Sequence, residues 1–207
     1  MKLQLNNVRL NWTDKLKKAE EYNGNVNFGC EVIFDKDSPL IARLKTTIEA
    51  VGKDLFSSDW DDIKEILEQN NKIIKPKKGN LVKDKDTKKV YPAYKDKFFL
   101  RLNRPERDGL PKFYLRQADS TTGKPKQVSV NDSAYPFYNG CYANVLVDVW
   151  GMKGEYKFIA AKLLAVQFFE DGEKLGGARE EATDDDFEAY EPANDFGSDE
   201  FGDDIPY

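Results

Sequence analysis

Two short segments of the chain repeat a cation–aromatic–cation pattern in which the three residues are spaced by two. The residues are Lys97, Phe99 and Arg101 in the first segment, and Lys112, Tyr114 and Arg116 in the second. Because successive side chains of a β-strand point to opposite faces, each triplet is expected on one face, with apolar neighbours towards the core. Cations attract phosphates and exposed rings stack on unpaired bases. The pattern therefore predicts a surface for single-stranded nucleic acid.

The region around the triplets is strongly basic. Residues 72–116 hold fifteen Lys or Arg and five Asp or Glu, and the stretch 75–89 is predicted to be a flexible basic loop. Trp150 shares a strand face with Leu146 and Asp148, which makes it a candidate stacking residue. The further candidates for nucleic-acid binding are Lys75, Lys77, Lys78, Tyr94, Arg104 and Trp150. The alternative is a solvated sheet face whose aromatic residues only pack.

The composition argues against catalysis. The chain has no histidine, which removes the common nucleophile pairings and the commonest transition-metal ligand. No Gly-rich phosphate loop is present, and the carboxylates of Asp184–Asp186 lie on a segment with no means of rigidity. The sequence therefore predicts a protein that is not an enzyme and that uses neither a cofactor nor a metal.

The two cysteines and the N-terminus indicate the compartment. Cys30 and Cys141 lie far apart and match no paired zinc spacing. The N-terminus lacks the apolar stretch of a signal peptide, and no run of ~20 apolar residues is present to span a membrane. We expect a cytoplasmic protein with two reduced, packed thiols.

Charge divides the chain into two parts. Residues 180–207 carry twelve Asp or Glu and no Lys or Arg, whereas the rest has 32 basic and 25 acidic residues, a net charge of +7. The acidic segment is too poor in aliphatic residues to offset the entropy of ordering. We therefore expect one domain over residues 1–177 and a disordered acidic tail over residues 178–207.

The tip of this tail combines acidic, aliphatic and aromatic groups. A basic-rimmed apolar pocket on a partner could hold the terminal ring and its carboxylate. The predicted partner-binding residues are Asp203, Asp204, Ile205, Pro206 and Tyr207.

The elements that must position the basic residues are mainly strands. Apolar residues alternate from Leu3 to Trp12 with a phase slip at Asn6–Asn7, which indicates a bulge, and from Val26 to Phe34, which indicates a half-buried strand. Ser38 is placed to cap a helix with an apolar stripe, and Asp59 a shorter one. Further strands are predicted over 97–102, 111–116, 126–130, 142–150 and 155–169. Many strands without strand–helix alternation predict a small barrel or sandwich.

Aromatic residues outside the basic region are expected mainly in the core. They are Trp12, Trp60 and the cluster from Tyr135 to Tyr138.

Several segments resemble a tailed-phage family of single-stranded-DNA-binding proteins. They are 98–105, 139–145 and 165–177, and the tail tip is similar to the Asp-Asp-Ile-Pro-Phe ending of bacterial single-stranded-DNA-binding proteins, with Tyr in place of Phe. The resemblance implies an OB-type fold, here a five-stranded barrel with inserted helices, and a role in phage DNA replication and recombination. It also implies single-stranded DNA as ligand and replication or recombination enzymes as partners of the tail.

Two other functions stay open at this point. One is an RNA or duplex-DNA binder on the same scaffold, and the other is a phage structural or assembly protein whose basic stretch contacts another protein. Self-association and the length of the binding footprint are likewise open.

Overall fold

The computed structural model of the chain describes residues 1–175. Nine strands are present in this part: β1 Lys2–Asn11, β2 Glu20–Tyr22, β3 Asn25–Asp35, β4 Lys77–Lys78, β5 Lys97–Pro105, β6 Lys112–Ala118, β7 Pro125–Val128, β8 Tyr142–Met152 and β9 Phe158–Glu170. Three α-helices accompany them: α1 Asp14–Lys17, α2 Pro39–Phe56 and α3 Trp60–Gln69.

Five of the strands form a closed ring. β1 pairs with β3, β3 with β5, β5 with β9, β9 with β8, and β8 again with β1. All of these pairs are antiparallel except β5–β9, which is parallel. The remaining strands extend the ring: β2 beside β3, β4 beside β5, and the β6–β7 pair beside β9. The prediction of a mainly β, OB-like five-stranded fold with inserted helices is confirmed.

The predicted irregularity of β1 is a bulge. The register with β8 shifts between Leu5 and Val8, and Asn7 has a φ of 49°. Leu3, Leu5, Val8 and Leu10 are all buried, so the two halves of the strand point their apolar residues to the same core. The bulge supplies the extra residue that this change of phase requires.

The inserted helices cover the ring as the apolar pattern predicts. The Ser38 hydroxyl accepts a hydrogen bond from the Leu40 N–H (3.3 Å), which satisfies one of the unpaired donors of the first turn of α2. Leu40, Leu44 and Ile48 are buried in the main core. Trp60, which begins α3, is 1% exposed, so its expected place in the core is confirmed.

Two expectations for β3 and its surroundings are wrong. The strand is buried on both faces from Phe28 to Phe34, not half-buried. The stretch 75–89 is not simply a loop, because Lys77 and Lys78 pair with β5 as strand β4. Behind both differences lies a second apolar cluster on the outer side of the ring, formed by Ile33, Tyr94 and Phe99.

The two thiols are buried and free. Burial raises the pKa of Cys30 to about 12 and that of Cys141 to about 11. Within residues 1–175 no helix is long and apolar enough to cross a membrane, and no cluster of acidic or cysteine side chains suits a metal ion.

Candidate nucleic-acid interface

The ring of Phe99 is not presented to solvent. Phe99 is 5% exposed, and the equally buried Tyr94 meets it edge-on with ring centroids 5.5 Å apart. Val82, Ala93 and Leu175 pack around the pair. The expectation that Phe99 and Tyr94 offer exposed rings is therefore wrong, because part of the 79–94 segment folds over the outer face of β5.

Gly79 makes this covering layer possible. A Cβ at position 79 would lie 2.1 Å from the carbonyl oxygen of Tyr94. No side chain fits into such a gap, so the two ends of the 79–94 segment can lie against each other only with glycine at position 79.

The two cations of the first triplet are paired with carboxylates on β3. Lys97 lies directly across from Asp35 and forms an ion pair with it, and Arg101 lies directly across from Glu31. The Arg101 Nη2–Oε1 distance to Glu31 is 2.6 Å, yet the Arg101 side chain is 60% exposed. Its guanidinium is therefore fixed on one side and open to a ligand on the other.

The second triplet lies on the outer face, as expected. Lys112 and Arg116 are exposed and Tyr114 is half-buried, while Phe113 between them is in the core. The Arg116 guanidinium lies 4.9 Å from the ring centroid of Phe169 on β9. This strand keeps a cation–aromatic–cation surface of the kind that single-stranded nucleic acid requires.

The two triplets are arranged end to end. Asn103 of β5 pairs with Lys162, and Lys112 of β6 pairs with Ala165. Because β8 occupies the other edge of β9 along its whole length, β5 and β6 share one edge of β9, one after the other.

Arg104 donates hydrogen bonds to main-chain carbonyls at the junction of these strands. Its Nε donates to the carbonyl of Gly109 (2.7 Å), and its two terminal nitrogens donate to the carbonyls of Asp108 and Leu163. The side chain thereby closes the connection from β5 to β6. Because Arg104 is only partly buried, its contact with a phosphate stays a prediction.

A groove of about 550 Å³ crosses the outer face of β3 and β5. The sequence pattern did not single it out. Its lining consists of Trp12, Lys15, Glu20, Glu21, Tyr22, Asn23, Asn25, Asn27, Gly29, Cys30, Glu31, Arg101 and Asn103. Two rings in it are open to solvent, since Trp12 is 52% and Tyr22 76% exposed.

The backbone holds Trp12 out of the core. Trp12 has a φ of 58°, a left-handed conformation that costs a residue with a Cβ about 1–2 kcal/mol. Its N–H donates to Oδ1 of Asn11 (2.9 Å), and the N–H and hydroxyl of Thr13 both donate to Oδ1 of Asn139 (2.8 Å each). The expectation that Trp12 packs in the core is wrong, because the strand ends in this turn instead of continuing its alternation.

A buried carboxylate lies below the groove. Glu31 is 2% exposed; its Oε1 accepts from Nε and Nη2 of Arg101 (3.0 and 2.6 Å), and its Oε2 accepts from the Tyr94 hydroxyl (2.5 Å). Nδ2 of Asn11 donates to the same hydroxyl (2.8 Å). Burial, together with the hydrogen bond to Glu31, raises the pKa of Tyr94 well above its usual range, so the hydroxyl stays a donor.

The polar lining of the groove suits base edges more than phosphates. Carboxylates accept from the amino groups of bases and repel phosphates, and asparagine amides both donate and accept. Lys15, whose ammonium lies 5.6 Å from the Trp12 ring centroid, forms an ion pair with Glu20 at 2.6 Å. The groove therefore offers stacking rings and hydrogen-bonding groups, with Arg101 as the more exposed of its two cations.

The remaining candidates lie at the surface. Trp150 is 37% exposed and packs edge-on against Phe158 with centroids 5.0 Å apart. Lys75, Lys77 and Lys78 are exposed on and beside the edge strand β4. The tip residues Asp203 to Tyr207 and the expected domain boundary at residue 177 lie outside the described residues.

Comparisons with known proteins give a family and a similar fold. The family model of the single-stranded-DNA-binding protein of Enterobacter phage Enc34 matches residues 1–197. Protein p50 of Acyrthosiphon pisum secondary endosymbiont phage 1 is 26% identical over 179 residues, which are 86% of this chain and 88% of that protein.

Two solved structures show the same fold. The single-stranded-DNA-binding protein from bacteriophage Enc34 in complex with single-stranded DNA is 19% identical, with a TM-score of 0.57 over 84% of this chain and 89% of that chain. Its C-terminally truncated form is 18% identical, with a TM-score of 0.55 over 84% of this chain and 88% of that chain.

Proposed function

The chain belongs to the family of the Enterobacter phage Enc34 single-stranded-DNA-binding protein, and from this membership we propose that it binds and protects single-stranded DNA in phage DNA replication and recombination. Binding uses base stacking and contacts to the phosphate backbone, with little dependence on sequence. The role is non-enzymatic and is carried out in the host cytoplasm.

Within the structure of this protein, the groove on β3 and β5 is the observation that supports the proposal. It combines the exposed rings of Trp12 and Tyr22 with the exposed guanidinium of Arg101. Rings of this kind stack on any base because every base has a π-face, at about 1–3 kcal/mol per base. Duplex DNA hides those faces, so the groove favours a single strand.

The outer face of β6 extends this surface. Lys112, Tyr114 and Arg116 follow the groove strand β5 along the same edge of β9. We assign them to the next stretch of the bound strand, with Tyr114 stacking and the two cations on phosphates. The exposed lysines of the 75–78 segment lie beside β5 and add phosphate contacts, and Trp150 stays a further candidate for stacking.

A fluorescence titration tests the proposal. Trp60 is buried, so quenching reports on Trp12 and Trp150, and a Trp150→Phe variant isolates Trp12. The titrants are an unstructured DNA oligonucleotide, an RNA of the same sequence and a duplex of equal length. Quenching by the DNA single strand above both others supports the proposal. Equal or stronger quenching by RNA or duplex identifies the alternative ligand, and silence with all three favours a structural or assembly role.

Variants of the groove locate the site. Trp12→Ala and Tyr22→Ala should each weaken single-strand binding by about 1–3 kcal/mol. Leu81→Ala is the matched control, since Leu81 is 71% exposed and does not line the groove. If the control weakens binding as much as the ring variants, the site is elsewhere.

We further propose that residues 178–207 act as a tail with two separable roles. The twelve carboxylates of residues 180–207 compete with DNA for a body of net charge +7, so deletion of 180–207 should tighten DNA binding, most at low salt. An unchanged affinity at low salt would contradict this first role.

The tip is assigned to partner enzymes. Removal of Ile205, Pro206 and Tyr207 keeps every acidic side chain, so DNA affinity should stay within about twofold while capture of replication enzymes in a pull-down is lost. Equal capture by the full-length and truncated proteins would leave the tail with its electrostatic role alone.

A further inference from the structure

A buried carboxylate beneath a DNA-binding groove needs a physical reason. Glu31 repels phosphates, and burying its charge costs free energy unless every oxygen is well bonded. Both oxygens are bonded here: Oε1 by Arg101 and Oε2 by the Tyr94 hydroxyl. Leu102, one position from Arg101, and Val32, one from Glu31, already fill the core behind them, so the pair is not needed to fill space.

The bonds of Glu31 continue into the loop that carries Trp12. The Tyr94 hydroxyl accepts from Nδ2 of Asn11 (2.8 Å), and Oδ1 of the same Asn11 accepts from the N–H of Trp12 (2.9 Å). One unbroken chain of hydrogen bonds thus runs from the Trp12 backbone through Asn11, Tyr94 and Glu31 to the Arg101 guanidinium. One end is the backbone of the residue that carries the exposed Trp12 ring, and the other end is the exposed cation of the groove.

We propose that Asn11, Tyr94 and Glu31 are positioning residues, whose hydrogen-bonded chain holds the Trp12 ring and the Arg101 guanidinium in a fixed relative arrangement for a base and its neighbouring phosphate. This inference rests on the proposed single-strand binding. None of the three residues needs to touch DNA, and Tyr94, which the sequence analysis gives as a candidate for nucleic-acid binding, acts from below the surface.

The benefit is preorganisation. A free arginine side chain loses rotamer entropy when it is immobilised on a ligand, and a Trp in a left-handed turn would relax to other conformations without support. The hydrogen bonds fix the Arg101 side chain and the Trp12 turn in the free protein, so less conformational entropy is lost when DNA binds. The same arrangement explains why the acidic Glu31 is compatible with a DNA-binding groove. Arg101 compensates its charge, and burial keeps its carboxylate away from phosphates.

Tyr94→Phe is the central test. It keeps the ring that packs on Phe99 and removes only the hydroxyl that joins the two halves of the chain. Single-strand affinity should fall about fivefold, because Glu31 and Asn11 lose the hydroxyl that fixes them both, and Arg101 and Trp12 must then be ordered on binding. Tyr135→Phe is the matched control, because the Tyr135 hydroxyl is also buried but has no hydrogen-bond partner among the described residues. This control should leave affinity unchanged.

A second background separates positioning from general stability. In a Trp12→Ala, Arg101→Lys protein the groups to be positioned are gone or altered, so adding Tyr94→Phe should cost no further affinity. A purely structural effect of the lost hydroxyl would keep its full fivefold cost in this background and would overturn the proposal.

Asn11→Ala provides an independent break at a partly exposed position, should Tyr94→Phe lower the folded fraction. It should weaken binding to a similar extent, again only while Trp12 and Arg101 are present. If the wild type fails to bind single strands, the proposed function fails and this inference with it. If the wild type binds and Trp12→Ala weakens binding, but Tyr94→Phe and Asn11→Ala are both silent, only the positioning role is overturned.

Discussion

Strands β5 and β6 carry the same cation–aromatic–cation pattern, yet the structure uses the two patterns differently. On β5 the aromatic residue Phe99 is covered by Tyr94 and the cations are paired with carboxylates of β3. On β6 the aromatic residue Tyr114 stays at the surface between two exposed cations. Both strands lie along the same edge of β9, so the difference comes from what packs on their outer faces. A strand pattern fixes which residues share a face, and a distant segment decides whether that face is open.

The largest expected difference is in stability. Phe99→Ala should lower the free energy of unfolding by about 3–5 kcal/mol, because it removes a buried ring and leaves a cavity. Urea denaturation measures the loss, and DNA affinity per folded molecule should fall by no more than the roughly fivefold expected for Tyr94→Phe, since Phe99 supports the Tyr94 ring but does not touch DNA. A stable Phe99→Ala protein whose DNA binding is weakened well beyond that of Tyr94→Phe would show that the covering segment opens and that Phe99 stacks after all.

Tyr114→Ala should have the opposite profile. Its free energy of unfolding should fall by less than that of Phe99→Ala, because Tyr114 is only half-buried, while single-strand affinity falls by about 1–3 kcal/mol if the ring stacks on a base. Titration and denaturation of the same sample give both numbers. Loss of stability without loss of affinity would remove β6 from the binding surface.

The cations of the two strands should differ in the salt dependence of binding. Lys112→Gln and Arg116→Gln should each reduce the slope of log K against log salt by about 0.7, the value for one phosphate contact to a single strand. Lys97→Gln should change it less, because Asp35 already compensates this charge. A slope altered by Lys97→Gln alone would place the phosphates on β5.

The smallest effect concerns the thiol of Cys30 on β3. Burial raises the pKa of this thiol to about 12, so the thiol should be unreactive at neutral pH until the five-stranded ring of the sheet opens. Phe99→Ala should speed its labelling by a disulfide reagent, and Tyr114→Ala should not. An equal increase of the labelling rate over the wild type in both variants would mean that β5 and β6 open together.

Local patterns predicted the elements well. The bulge at Asn6–Asn7, the Ser38 cap and the core place of Trp60 follow from side-chain periodicity and capping chemistry, which act over a few residues. The five-stranded ring followed from the number of strands and from family resemblance.

The groove was missed because its parts come from distant positions. Arg101 and Glu31 are seventy residues apart in sequence, and Tyr94 and Glu31 sixty-three. The 79–94 segment is mostly polar and basic, so nothing local marks it as the cover of Phe99. In the sequence, Trp12 continues the apolar alternation of β1. Its ring points outward because the strand ends there in a turn that hydrogen bonds of Asn11 and Thr13 stabilise.

Because β5 pairs with β9, the five-stranded ring can close only late in synthesis. β9 is the last strand of the ring to be made, and it supplies partners to β8, β5 and β6. Until residue 158 has been added, β5 and β8 each lack the neighbour that closes the ring, and their edges and apolar faces are open to other chains. A nascent chain of this protein therefore spends most of its synthesis without a closed core, and closure depends on contacts of long sequence separation, which form slowly.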